Sequence, residues 1–160
     1  MITGGSDGIG LECASLIAHD QPGCRIVLVG RSPERTAAAV ARVRREQADC
    51  TVTSFLCDFA DQGAVRRLAA DLLASLDRID VLVNNAGAVF SRRTLTAEGI
   101  ESTFAINHLA GLLLTELLLD RIKESAPARI VFTSSDGHYS GTMDLDDLGF
   151  EQGYTIMRAY

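Results

Sequence analysis

Four glycines fall within seven residues in Thr3–Gly4–Gly5–Ser6–Asp7–Gly8–Ile9–Gly10, between the apolar stub Met1–Ile2 and an amphipathic run. This order predicts a strand, a tight turn and a helix. Glycines at 4, 8 and 10 adopt φ > 0 without steric cost and carry no Cβ, so a bound group can approach the backbone and the helix can sit close to the strand. The first N–H groups of a helix lack internal partners and, with the macrodipole, favour an anion. Gly4, Ser6, Asp7, Gly8, Ile9 and Gly10 are therefore candidate residues of a diphosphate cradle. A glycine-rich turn can also be only a turn, and this stretch alone does not separate the two readings.

The rest of the chain decides the setting of that turn. Ile9, Cys13, Leu16 and Ile17 follow at i, i+4, i+7 and i+8, one face of a helix ending near His19–Gly23. Arg25–Val29, bounded by Gly30, is a short aliphatic run suited to a parallel strand covered on both faces. Ser32 is placed to cap the next helix with Pro33 in its first position; Ala37, Val40 and Val43 form the predicted inward face, and Arg42, Arg44 and Arg45 a solvated one. A third strand is predicted over Thr51–Cys57, a helix through Val65, Leu68, Ala69, Leu72, Leu73 and Leu76, and a fourth strand over Asp80–Val83. A long helix fits from Thr96 to about Glu124 and a fifth strand Ala128–Thr133. This βαβαβαβαβ alternation implies one domain over residues 1–160: a doubly wound parallel α/β sheet in three α/β/α layers.

Composition narrows the partners. Fifteen basic against 21 acidic residues, a net charge of −6, argue against a nucleic-acid or anionic-membrane footprint. Cys13, Cys24, Cys50 and Cys57 are scattered without a C-x-x-C, and His19, His108 and His138 do not join them at zinc spacing; reduced core thiols are expected rather than a metal site or a disulfide frame. The apolar run Phe104–Leu119 is interrupted by Asn107, His108, Thr115 and Glu116, which suits a buried helix better than a membrane span. No secretory leader pattern opens the sequence, so a cytoplasmic location is expected, with an upstream membrane anchor as the alternative.

In parallel sheets of this kind ligands bind beyond the carboxyl ends of the strands, and the conspicuous polar groups collect there. The glycine turn follows the first strand, Arg31 the second, Asp58 the third, Asn85–Ala86–Gly87 the fourth and Ser134–Ser135 the fifth, with Asn107 inside the long helix. This set resembles the short-chain dehydrogenase/reductase family, whose marks are T-G-x-x-x-G-x-G, N-N-A-G, a helical Asn, a Ser and Y-x-x-x-K. Within it, Gly99–Leu109 and Ser134–His138 resemble the retinol dehydrogenase-like branch. The resemblance covers the whole chain.

The resemblance implies hydride transfer between a nicotinamide cofactor and a carbonyl or alcohol, the substrate being apolar and retinoid-, steroid- or lipid-like. Tyr160, twenty-five positions after Ser135, stands where the branch places its catalytic tyrosine; Tyr139 and Tyr154 are followed four residues on by Met143 and Arg158 rather than lysine. Ser135 would hydrogen-bond the reacting oxygen, and Tyr160 would act as general acid in reduction and general base in oxidation. A phenol with a pKa of about 10 is a poor base at neutral pH, so the family sets a lysine four residues on, which would fall at position 164, past Tyr160. Asn107 would link the site to solvent through a water, or alternatively accommodate a kink.

Asp58 and Phe59 would flank the adenine, and Asn85, Ala86 and Gly87 would let the cofactor ribose pass; Asp58 alternatively caps a turn. An arginine rather than an acid after the second strand favours a 2′-phosphate, hence NADP(H) over NAD(H), unless Arg31 is only a surface charge. Both ends look cut against the family pattern. The chain alone is expected to expose one face of the long helix and the edge of the fifth strand, bind cofactor weakly and lack measurable turnover. A non-catalytic NADP(H)-binding module, redox sensor or interaction protein is the alternative. A homo-oligomer is compatible with the pattern.

Overall fold

The computed structural model describes residues 1–142 and 144–160. Met143, the residue four positions after Tyr139 in sequence, lies outside the described residues. Five strands, β1 (Ile2–Thr3), β2 (Arg25–Gly30), β3 (Thr51–Leu56), β4 (Val81–Asn84) and β5 (Arg129–Phe132), form one parallel sheet in the order β3-β2-β1-β4-β5. Order reverses at β1, so the glycine turn leaves the sheet where chain connections diverge to opposite sides and a crevice opens.

Helices α1 (Gly8–Asp20), α2 (Pro33–Glu46), α3 (Gln62–Ser75) and α4 (Ser102–Glu124) cover the sheet. Strand β2 shows the two-sided burial of a central parallel strand. Ile26 and Leu28 join Ala14, Ala18, Ala39 and Val43 on the α1/α2 side; Val27 and Val29 join Leu68, Leu72, Leu114 and Leu118 on the α3/α4 side. Burying each of these Val, Leu and Ile side chains contributes about 1.5–3 kcal/mol. Helix α4 is 23 residues long and apolar enough by length and composition to cross a membrane, but here Ala110, Leu114, Leu118 and Ile122 hold it in the core against α3.

Caps set the helix starts. Asp7, Ser32 and Asp61 accept hydrogen bonds from Gly8, Arg35 and Ala64 backbone N–H groups at the heads of α1, α2 and α3. The head of α4 is set by Glu101, a carboxylate only 1% exposed that accepts from the N–H groups of Thr103 and Phe104 at 3.0 and 2.8 Å. The long helix therefore begins at Ser102 rather than Thr96: residues 96–100 close a turn through Thr96 and Ile100, and Leu95 bridges Glu101.

Two inward faces differ from the periodicity. On α1 the buried residues are Gly10, Ala14 and Ala18, whereas Ile9 and Leu16 are 72% and 64% exposed. Close packing at the glycine turn admits only small side chains between α1 and the sheet, which turns the larger apolar stripe outward. On α2 the buried set is Thr36, Ala39 and Val43; Ala37 is exposed and Val40 half-buried. Beyond β5 the sheet has no further strand among the described residues. Ile130, Val131 and Phe132 are exposed, as is Leu112 on α4. The apolar edge expected from the sequence is thus uncovered.

A cleft at the carboxyl ends of the strands

A cleft of about 960 Å³ opens over the carboxyl ends of β1, β4 and β5. Gly4, Ser6, Asp7, Gly8, Ile9, Phe59, Asn85, Ala86, Gly87, Asn107, Ser135 and Tyr160 all line it. Gly10, Arg31 and Asp58 stand outside its wall, for three different reasons.

Gly10 lies beneath the turn. A Cβ there would come within 2.4 Å of the Gly4 carbonyl oxygen and 2.6 Å of Asn85 Nδ2, so its missing side chain is what lets α1 approach β1 and β4. Gly8 differs: its φ is +52°, a Cβ there would meet nothing within 4 Å, and the residue lines the cleft. One glycine serves packing and the other borders open space. Asp58 is exposed and its Oδ1 accepts from the Ala60 N–H at 3.0 Å, the turn-capping alternative noted above. Arg31 is exposed directly after β2 and makes no ion pair among the described residues.

The N-N-A-G segment is held from below by Thr3. Its Oγ1 accepts from the N–H groups of Asn85 and Ala86 at 2.9 and 3.0 Å, while Asn85 Nδ2 donates to the Thr3 carbonyl at 3.1 Å. The Thr133 hydroxyl reaches Asn85 Oδ1 at 3.2 Å, which joins the ends of β1, β4 and β5. Asn107 lies within a π-helical turn, Ala105–Leu109, inside α4. Its amide clamps the backbone of Ala88, accepting from the N–H at 2.7 Å and donating to the carbonyl at 3.0 Å. π-Turns recur where a helix must aim a side chain. The helical irregularity and the Asn are one feature, and a second Nδ2 proton remains for another partner.

Ser135 caps the 3₁₀ turn Asp136–Ser140, its Oγ accepting from the Gly137 N–H at 3.1 Å. Tyr160 follows the short helix α5 (Ile156–Ala159). A Cβ at Gly137 would stand 3.4 Å from Ser135 Oγ and 3.8 Å from the Tyr160 ring, so both residues flank Gly137 in the wall of the cleft. The competing tyrosines do not reach it: Tyr139 is 82% exposed, and the Tyr154 hydroxyl donates to the Phe90 carbonyl at 2.8 Å.

Arg35 was missed by the sequence reading. It lines the cleft and pairs with Asp7, whose other oxygen caps Gly8. The Ser32–Pro33 start of α2 carried the signal, because a residue in that first turn stands beside the carboxyl end of β2. Cys50 and Cys57 are buried, Cys13 and Cys24 half-buried, and all four are free. Burial pushes the Cys57 thiol up to about 12, with Asp58 and Asp61 adding to the effect, so it stays protonated and inert. No group of three or more His, Cys, Asp or Glu able to hold a metal occurs among the described residues.

The residues present fit a dinucleotide. Space is open over Gly8, and Asn84 Oδ1 and Thr103 Oγ1, on side chains lining the cleft, are buried without a hydrogen bond among the described residues.

Comparison with known proteins agrees with this geometry. The short chain dehydrogenase family profile matches residues 1–143. A Streptomyces sp. (strain C5) protein named as a candidate daunorubicin C-13 ketoreductase is 43% identical over the whole chain, and human retinol dehydrogenase 13 is 37% identical. The chain spans about half the length of these curated relatives, 54% and 48%. Among solved structures, an uncharacterized protein from Mycobacterium paratuberculosis superposes with a TM-score of 0.83 at 31% identity, over 99% of this chain and 54% of that one. A Burkholderia cenocepacia short chain dehydrogenase in complex with NADP gives 0.71 at 29%, over 86% and 55%. With the family profile matched over most of its length, and a parallel sheet whose glycine turn opens into a cleft, the chain belongs to the short-chain dehydrogenase/reductase family.

Proposed function

We propose that this chain carries the cofactor site and acid–base pair of an NADP(H)-dependent carbonyl reductase or alcohol dehydrogenase acting on an apolar substrate. The observation that carries the reading is that Ser135 and Tyr160 flank Gly137 in the wall of the same cleft that Gly8 lines. Bound NADP(H) would supply or accept the hydride. The Ser135 hydroxyl, fixed by the Gly137 N–H, keeps its own hydrogen to donate to a substrate oxygen. Tyr160 gives that oxygen a proton in reduction and removes it in oxidation. Asn107 holds the cleft wall through Ala88, and its free amide proton is available to order a water.

On the cofactor side, backbone around Gly4, Ser6 and Gly8 receives the diphosphate, Asp58 and Phe59 flank the adenine, and Asn85–Gly87 lie along the ribose. Arg35 is engaged with Asp7, whereas Arg31 is unpaired among the described residues and so is the better partner for a 2′-phosphate. The apolar substrate class is supported by the names of relatives, retinol dehydrogenases and a candidate daunorubicin C-13 ketoreductase among them.

NADPH consumption with an apolar aldehyde or ketone, followed on the longest native polypeptide that contains these residues, tests the reading. Alcohol should form in step with NADPH lost. Arg31→Ala should lower kcat/KM for NADPH by about 10- to 100-fold, the worth of a charge-assisted hydrogen bond, and leave that for NADH nearly unchanged. Equal losses with both cofactors, or no loss, would contradict the assignment of Arg31.

A further inference from the structure

Cys24 and Cys50 stand at the other end of the sheet from the cleft. Their Sγ atoms are 3.3 Å apart although 26 positions separate them in sequence. Each immediately precedes a strand, and β2 and β3 pair in register from Arg25 and Thr51 onward, so the two cysteines occupy matching positions on adjacent parallel strands. The Thr51 N–H donates to the Cys24 carbonyl at 3.0 Å, which extends the ladder to the cysteines themselves. Neighbouring strands lie about 4.7–4.9 Å apart, inside the Cα separation that a disulfide spans. Both thiols are free in the structure. Cys24 is half-buried, within reach of a small reagent; Cys50 is buried, and its thiol finds only long contacts, to the Ala18 and Gln21 carbonyls at 3.5 and 3.7 Å.

From this arrangement we infer that Cys24 and Cys50 form a reversible dithiol–disulfide site that locks β2 to β3 when a small disulfide such as oxidised glutathione is available. The Cys24 thiolate attacks one sulfur of the reagent. A mixed disulfide forms, the reagent's S–S bond breaks, and one small thiolate leaves and takes up the proton. The Cys50 thiolate then attacks Cys24 Sγ and expels the second small thiol. Two protein thiols are oxidised, one external disulfide is reduced, and the two protons end on the departing thiols. Burial and the neighbouring Cys50 hold the Cys24 thiol up at about 11, so exchange at neutral pH is slow. Because the pair sits at the amino ends of β2 and β3, remote from the cleft, the bond acts on stability rather than on the site.

Incubation of the full chain with oxidised glutathione, then mass and thermal measurements with and without dithiothreitol, tests the inference. The expected product is monomeric, has lost two titratable thiols and melts about 5–10 °C higher, the rise being reversed by dithiothreitol. Trypsin leaves Cys13 with Cys24 on residues 1–25 and Cys50 with Cys57 on residues 46–66, so fragmentation of the linked peptides must locate the bond. Cys24→Ser should abolish it, and Cys13→Ser should retain it. Should all four thiols remain titratable in the wild-type chain, or should the bond fall on Cys13 or Cys57, the inference is overturned. The wild-type measurement stands even if a variant fails to fold.

Discussion

Tyr160→Phe is expected to lower NADPH-dependent carbonyl reduction by about 10²- to 10⁴-fold while leaving cofactor affinity within about twofold. The substitution removes one oxygen and keeps the ring against Gly137, so the end of the cleft retains its shape. What disappears is the proton donor to the oxygen that gains charge as hydride reaches carbon. Ser135→Ala should cost about 10²- to 10³-fold, since it removes one hydrogen-bond donor from the same oxygen. The double variant should fall well short of the product of the two losses, because both groups serve one atom. Steady-state kinetics on the longest native polypeptide that contains these residues, with a fluorescence titration of NADPH, separates these terms. A Tyr160→Phe protein with near-normal turnover would move the acid–base role elsewhere; Tyr154, with its hydroxyl committed to Phe90, would not inherit it.

Gly10→Ala should strongly destabilise the fold. The added methyl would face the Gly4 carbonyl at 2.4 Å and Asn85 Nδ2 at 2.6 Å, and the first of these is backbone that cannot swing aside. Either α1 withdraws from the sheet or the Thr3–Asn85 ties break. The expected loss is about 3 kcal/mol, near the upper range for forced overpacking, or roughly 6–12 °C in Tm for a domain of this size. Urea unfolding checks it; a loss below about 1 kcal/mol would mean that the close packing of helix on strand is not needed.

Much of this was legible in the residues. The aliphatic runs ending in Gly30, Asp58 and Asn84–Asn85 gave strands within a residue or so of those observed, because a parallel strand buried on both faces has few ways to look different. Val65, Leu68, Ala69 and Leu72 point inward as their spacing predicts. The inward face of α1 was not legible. Hydrophobicity selects Ile9 and Leu16, whereas contact distance at the glycine turn selects Gly10, Ala14 and Ala18. The start of α4 was hidden too, since it depends on the buried Glu101 carboxylate as a cap and not on apolar period. In the cleft, motif order indicated the strand-end residues. The placing of Ser135 and Tyr160 on one cleft depends on the intervening loop, which has no periodicity to read, and the signal for Arg35 in the Ser32–Pro33 helix start gained meaning only with its pairing to Asp7.

The central claim is that the open space over Gly8 receives the phosphates of a nicotinamide dinucleotide. Calorimetric titration of NADPH into the wild-type chain and into Gly8→Ala tests it most directly. Since the added Cβ would meet no protein atom within 4 Å, the variant should fold, losing about 1–2 kcal/mol to its left-handed backbone. The wild-type chain should bind NADPH at one site, and Gly8→Ala should weaken that binding at least about tenfold, a change of about 1.4 kcal/mol. Equal affinity in the two proteins, or no binding by the wild-type chain, would contradict the claim.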